Sequence, residues 1–150
     1  MKSIILSIYI ITSFLPAKSQ NTEDSVKAAV NRLFDAMKNS DSAMLINSFA
    51  DSAVLQTISS NKNGEVLIKN ESIKGFAHSI GSAPQGWLDE RIKFDMIKID
   101  GPLASVWTPY SFYYNGRFSH CGVNSFQLIK TVNGWKIQYI IDTRRKEGCK

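Results

Sequence analysis

The chain has 150 residues, a formal net charge of +5, 43% hydrophobic residues and 21% charged residues. This length and composition predict one globular domain with an ordinary core. Nucleic-acid binding would need a broader basic face than so mild a charge supplies. The densest basic run, Arg144-Arg145-Lys146, is better interpreted as a solvated tail.

The N-terminus has the pattern of a secretory signal peptide. Met1-Lys2 is positively charged, an apolar run extends from Ile4 to Leu15, and Ala17-Lys18-Ser19 supplies small residues at the cleavage site. The apolar run is too short for an ordinary transmembrane helix, although an uncleaved N-terminal anchor is an alternative. The sequence therefore predicts a signal peptide over 1–19 and one mature domain over 20–150. That domain would be periplasmic or secreted and free of the membrane after cleavage.

The mature chain has two cysteines, Cys121 and Cys149. An even number of cysteines in an exported protein predicts a disulfide, and two unrelated thiols are the alternative. The bridge would stabilise the fold by roughly 3–4 kcal/mol in the loop-entropy model. Two Cys and two His without close ligand spacing predict no metal site.

The first half of the chain predicts three helices and one hairpin. A helix over about 23–39 has an apolar face at helical spacing, formed by Val26, Val30, Leu33, Phe34 and Met37. Asp41 is expected to cap a second, shorter helix with three inward side chains, Met44, Leu45 and Phe49. Asn61-Lys-Asn-Gly64 predicts the turn between strands over 53–60 and 65–69. Asn70 is expected to cap a third helix whose apolar face comprises Ile73, Phe76, Ala77 and Ile80.

The second half predicts four strands, over 88–100, 103–114, 118–130 and 135–143. Apolar alternation changes parity between Met96 and Ile97, which is the effect of a β-bulge. Pro109 is expected to interrupt pairing or to mark an edge. Helices followed by a bent antiparallel sheet predict an α+β domain in which helices cover one sheet face.

Three segments resemble the nuclear transport factor 2-like superfamily. They are the helix junction Asn39-Ser-Asp-Ser-Ala-Met-Leu45, the segment Phe49-Ala-Asp-Ser-Ala53 and the closing Asn133-Gly-Trp-Lys-Ile137. The superfamily includes SnoaL-like cyclases, ketosteroid isomerase, scytalone dehydratase and a bacterial branch named for lumazine binding. The resemblance covers about 23–143. It implies a cystatin-like cone: a curved sheet around three N-terminal helices, with a pocket at the wide end and possible homodimers through the sheet.

The strand over 118–130 separates its residues onto two faces. His120 and Asn124 share the face that ends in Phe126 and Leu128, so they are expected to point into the cone. Gly122 between them is typical of a close approach by ligand or backbone. Cys121 would then face outward.

His120 is the strongest candidate for a catalytic residue, because a neutral imidazole exchanges protons near neutral pH. Asp142 on the next strand could orient it or act as the base, and scytalone dehydratase uses a His and an Asp in its pocket. The alternative is a His bonded to a carbonyl, with Asp142 paired to Arg144 or Arg145. His78 is expected to be solvated.

Aromatic side chains predict a pocket for a small apolar or aromatic ligand, with filling of the core as the competing interpretation. The candidate ligand-binding residues are Asn124, Trp107, Tyr110, Phe112 and Tyr114. No nucleophile elbow, phosphate loop or dinucleotide fingerprint is present, so no cofactor is predicted. The favoured hypothesis is an exported small-molecule-binding domain. The alternatives are an isomerase or dehydratase using His120 with Asp142, and a dimerising interaction module.

Overall fold

The structure is a computed structural model that describes residues 17–149, with side chains described from residue 22 onward. The apolar run of the predicted signal peptide lies outside the described residues, so the signal peptide and its anchor alternative stay predictions. The described chain forms two helices, a two-stranded hairpin, a third helix and five further strands. All seven strands belong to one curved, unclosed sheet. The predicted α+β architecture is confirmed.

The first two helices pack together through a tight turn. α1 (Ala17–Asn39) begins earlier than the predicted residue 23, and its predicted apolar face is buried. Ser40 adopts a φ of 55°, the left-handed conformation that commonly ends a helix. The Asp41 side chain then accepts the Met44 N–H at 2.8 Å and caps α2 (Ser42–Ser48), as predicted.

The hairpin of β1 (Phe49–Ser60) and β2 (Val66–Glu71) precedes α3 (Ile73–Gly81). The predicted cap of α3, Asn70, is wrong: Ser72 is the cap, and its hydroxyl accepts the Gly75 N–H at 3.0 Å. Asn70 is unavailable because it still pairs with Gln56 in the hairpin and accepts that residue's side-chain amide at 2.8 Å.

The predicted strand over 88–100 is two strands, β3 (Leu88–Ile92) and β4 (Met96–Asp100). Both pair antiparallel with β5 (Leu103–Tyr114), and residues 93–95 form the predicted bulge three positions earlier than expected. The Lys93 and Asp95 N–H groups donate to the Pro109 and Trp107 carbonyls, each at 3.0 Å. Pro109 has no N–H to return, so the ladder is interrupted there, as predicted.

The remaining strands are β6 (Arg117–Thr131) and β7 (Gly134–Arg145). The sheet order is β2-β1-β7-β6-β5-β3, with β4 also paired to β5. The expected wholly antiparallel sheet is therefore corrected to a mixed one, because β1 and β7 run parallel. A parallel pair needs a long crossover connection, and all the elements between β1 and β7 supply it.

A bulge at Gln138 decides which residues of β7 face the helices. Gln127 pairs with Tyr139, and its neighbour Leu128 pairs with Ile137, so Gln138 is the extra residue. The inward face changes there from odd to even positions. Before the bulge, Trp135 and Ile137 are buried, and after it the inward residues are Ile140, Asp142 and Arg144.

Candidate functional site

A cavity of about 220 Å³ lies between the helices and the concave face of the sheet. Most of its wall is apolar and comes from α1, α3 and the sheet: Leu33, Phe34, Met37, Phe49, Leu55, Phe76, Ile80, Leu88, Phe112 and Ile140. The polar wall residues are Glu71, Ser79, Glu90, His120, Asn124, Asp142 and Arg144. An apolar chamber with a few polar side chains is the usual form of a small-ligand site.

The strands β5, β6 and β7 place the polar residues side by side. Phe112 pairs with His120 across β5 and β6, and Asn124 pairs with Asp142 across β6 and β7. His120 and Asn124 both face the cavity, which is the orientation expected from strand alternation. A Cβ on Gly122 would lie 1.8 Å from the Thr143 carbonyl oxygen, so this glycine is required by the close backbone approach.

Glu90 is the residue that the sequence did not single out. Its carboxylate accepts a hydrogen bond from the Asn124 side-chain amide at 2.8 Å. Burial raises the pKa of Glu90 to about 7; the nearby Asp142 carboxylate also raises it, while the Asn124 hydrogen bond and Arg144 oppose the increase. Glu90 is therefore a carboxyl group that exchanges its proton near neutral pH. One feature of the sequence could have pointed to Glu90: it lies between Leu88 and Ile92 on an otherwise apolar strand face.

Asp142 forms an ion pair with Arg144, which confirms the Asp142 part of the alternative predicted from the sequence. The Arg144 Nε donates to Asp142 Oδ2 at 2.9 Å, and its Nη2 donates to the Thr57 hydroxyl at 3.3 Å. Asp142 is 7% exposed, whereas the Arg144 side chain is half-exposed at the cavity mouth. Asp142 Oδ1 is buried and has no hydrogen-bond partner among the described residues.

His120 packs between two aromatic rings of β5. Its ring centroid lies 5.0 Å from that of Phe112 and 5.7 Å, edge-on, from that of Tyr110. Its Nδ1 lies 3.1 Å from the Ser119 hydroxyl. Burial lowers the pKa of His120, Arg144 lowers it further, and Asp142 opposes the change, so the imidazole is neutral at pH 7. Within the described chain no hydrogen bond joins His120 to Asp142, so a direct dyad is not formed.

Two of the five predicted ligand-binding residues, Asn124 and Phe112, line the cavity. Trp107 is 41% exposed because its odd position on β5 points to the outer sheet face. Tyr114 is 49% exposed at the end of β5, where its ring contacts Trp87. Placing these two side chains in the pocket was wrong.

Tyr110 faces inward but lies beneath the cavity rather than in its wall. Its hydroxyl donates to the Thr143 carbonyl at 3.0 Å, and burial raises its pKa. Its ring also borders a second, outer cavity of about 460 Å³ beside the disulfide. The core-filling interpretation therefore applies to Tyr110.

The predicted disulfide is present between Cys121 and Cys149. Cys121 faces outward from β6, opposite the face of His120, and the bridge ties the chain end after Arg145 to the sheet. His78 is exposed on α3, as expected.

Within residues 17–149, no cluster of three or more His, Cys, Asp or Glu side chains is arranged to hold a metal ion. The same residues contain no helix that combines the length and apolarity needed to cross a bilayer. The predicted homodimer through the outer sheet face stays a prediction.

Comparisons with known proteins identify the fold of this chain. No protein-family model matches the chain, and no curated protein matches it. Among solved structures, a domain of unknown function with a cystatin-like fold from Nostoc punctiforme is similar, with 17% identity and a TM-score of 0.65. The match covers 85% of this chain and 79% of that one. These values place the chain in the cystatin-like class of α+β folds.

Two further structures narrow the fold. A nuclear transport factor 2-like protein of unknown function from Shewanella baltica has a TM-score of 0.68 at 14% identity, covering 86% of this chain and 98% of that one. A nuclear transport factor 2-like protein from Streptomyces avermitilis, described as a candidate dehydratase, has a TM-score of 0.61 at 15% identity, covering 84% and 97%. The chain has the nuclear transport factor 2-like fold.

Proposed function

We propose that this protein is an exported domain that binds one small, largely apolar molecule in the cavity between helices and sheet. The observation that carries the proposal is the cavity itself, with an apolar wall drawn from α1, α3 and the sheet and polar side chains converging at one end. The volume is left open within the core, since wall residues such as Leu33, Phe34 and Ile140 are themselves buried core residues. Ligands of the SnoaL-like and lumazine-binding branches are the first candidates that we would test.

Two features support export. The N-terminus has the pattern of a signal peptide. The two cysteines form a disulfide, and disulfides persist mainly in oxidising compartments. The proposed location is the periplasm or the exterior.

Blocking the cavity mouth tests the binding proposal. Ser79 is exposed on α3 and lines the cavity, so Ser79→Trp places an indole at the entrance without disturbing the core. We expect naphthol to shift the amide resonances of cavity residues in the wild type and to leave them unshifted in Ser79→Trp. Lys74→Trp is the matched control, because Lys74 is exposed on the same helix and does not line the cavity. Equal binding by both variants, or no binding at the wild-type cavity, would contradict the proposal.

A second candidate function is proton transfer on a cyclic or carbonyl substrate. The observation that favours it is the Glu90 carboxyl, whose pKa of about 7 suits general acid–base catalysis at physiological pH. In this candidate function Glu90 is the proton-transfer group, in place of the pair of His120 and Asp142 predicted from the sequence. Asn124 would orient the Glu90 carboxyl and the neutral His120 would lie beside the substrate.

Hydrogen–deuterium exchange tests this second candidate. Cyclic ketones incubated with the protein in heavy water should exchange protons adjacent to the carbonyl, as followed by proton NMR. Glu90→Gln should slow the exchange by at least about a hundredfold, since positioned acid–base groups contribute rates of that order. Glu147→Gln, an exposed change in the tail, should leave the exchange rate unaltered. A ketone that binds in the cavity without exchange in the wild type would favour the binding domain over the enzyme.

A further inference from the structure

One carboxylate oxygen at the polar end of the cavity has no donor. Asp142 Oδ1 is buried and without a hydrogen bond among the described residues, although Asp142 lines the cavity. Ser40 and Thr108 also have buried hydroxyl oxygens without partners, but neither residue lines the cavity. A buried, unpaired acceptor is costly, and the cost is larger when the group is charged.

The hydrogen bonds that Arg144 and Asn124 donate go to acceptors other than Oδ1. The Arg144 Nε is bonded to the other oxygen of Asp142, and the Arg144 Nη2 is bonded to Thr57. The Asn124 amide, directly across the strand pair from Asp142, donates to Glu90. Oδ1 is therefore an unpaired acceptor on a side chain that lines the cavity.

The charges around Oδ1 favour a neutral ligand over an ion. The Arg144 guanidinium balances the Asp142 carboxylate at a distance of 2.9 Å. His120 is neutral at pH 7, and burial keeps Glu90 protonated up to that range. An anion would lie beside the Asp142 carboxylate, and a cation would lose its hydration in a chamber that is otherwise apolar.

The volume limits the size of the ligand. An apolar protein cavity of about 150 Å³ holds benzene. At about 220 Å³ the present cavity has room for a body somewhat larger than one aromatic ring. Drug-sized ligands occupy larger pockets, of roughly 300–1,000 Å³.

We infer that the ligand is a neutral one- or two-ring compound with a hydroxyl or N–H group that donates a hydrogen bond to Asp142 Oδ1. This inference rests on the proposed function, since it describes the molecule that the cavity binds. It assigns Asp142 a role in recognition that does not depend on any chemical step.

A matched pair of probes tests the inference. Naphthol and its methyl ether share the same ring system, but only naphthol donates a hydrogen bond. Isothermal titration of the wild-type protein should give naphthol an affinity roughly tenfold or more above that of the ether, the value of one hydrogen bond to a charged group. Equal affinities, with both probes blocked by Ser79→Trp, would overturn the inference and leave the proposed function standing. Failure of both probes to bind in the cavity would overturn the two together.

Substitution of Asp142 gives the second measurement. In Asp142→Asn the amide oxygen is expected to remain with the Arg144 donor, which turns the amide NH₂ toward the cavity. The preference should then invert, so that the ether binds at least as tightly as naphthol. Asp100→Asn, an exposed change at the end of β4, should keep the wild-type ratio. A wild-type ratio in Asp142→Asn would overturn the inference, and the wild-type comparison decides it alone if that variant does not fold.

Discussion

At one end of the sheet, β5, β6 and β7 form a packed apolar core, here called the dry end. At the other end the same strands form the polar wall of the cavity, here called the polar end. At the dry end Val106, Phe126 and Ile137 are completely or almost completely buried. At the other end the same inward positions carry Asn124 and Asp142, which are also buried. Both ends have inward positions that alternate with outward ones, and the two ends differ in the chemistry of the inward side chains. A continuous sheet thus forms both the packed core and the polar wall of the cavity without a separate domain.

The transition between the two ends depends on two local departures from regular sheet. The bulge at Gln138 turns Asp142 and Arg144 inward; with unbroken alternation from Ile137 they would face outward. Gly122 allows the β7 backbone to approach β6 at the level of Tyr110. Changes at the dry end should therefore alter stability, and changes at the polar end should alter proton chemistry and ligand binding.

The largest expected effect is at the dry end. Phe126 is fully buried and its ring meets Phe34 edge-on at 6.1 Å. Phe126→Ala should lower the free energy of unfolding by about 3–5 kcal/mol, through lost apolar burial and the cavity left behind. Urea denaturation followed by circular dichroism measures the loss. Ser125→Ala on the outer side of the same strand should change it by less than about 1 kcal/mol. A loss below about 2 kcal/mol for Phe126→Ala would contradict the division into two ends.

The next effect lies at the boundary. Gly122→Ala would bring a methyl group within 1.8 Å of the Thr143 carbonyl oxygen and 2.7 Å of the Tyr110 ring. Because the first of these is backbone, β6 and β7 must separate, and we expect a loss of about 3 kcal/mol in the same denaturation assay. Ser125→Thr adds a methyl group on the outer face of β6 and should be nearly neutral. Equal stability of Gly122→Ala and wild type would show that the strands separate freely there.

Much of this fold could be predicted because its local signals agree with its tertiary structure. The α1 face and the Asp41 cap each follow from residues close in sequence. The outward Cys121 and inward His120 followed from alternation along a single strand. The Cys121–Cys149 bridge followed from an even cysteine count in a chain with a predicted signal peptide.

The rest depended on contacts between distant segments. Alternation from Trp135 and Ile137 places Asp142 on the opposite face, and only pairing with β6 reveals the bulge that reverses it. The parallel pairing of β1 with β7 has no local signature. Glu90 was overlooked because its environment is made by Asn124 and Asp142, which lie on other strands. A charged residue on an apolar strand face is a usable signal for such a site.

The smallest stability effect in this series is also the most specific, because it depends on pH. Burial raises the pKa of Glu90 from 4.5 to about 7, so between these values the folded protein holds a proton that the unfolded chain has released. Wild-type stability attributable to Glu90 therefore falls as pH rises through this range and levels off above it. Gln keeps the acceptor for Asn124 and cannot ionise. Glu90→Gln should match the wild type near pH 4 and exceed it at pH 8 by roughly 1–3 kcal/mol. Urea denaturation at a series of pH values measures the difference in unfolding free energy between the two proteins. The contributions of ionisable groups that both proteins share cancel in this difference. A Glu90→Gln curve parallel to the wild type would mean that Glu90 titrates as an ordinary carboxyl group.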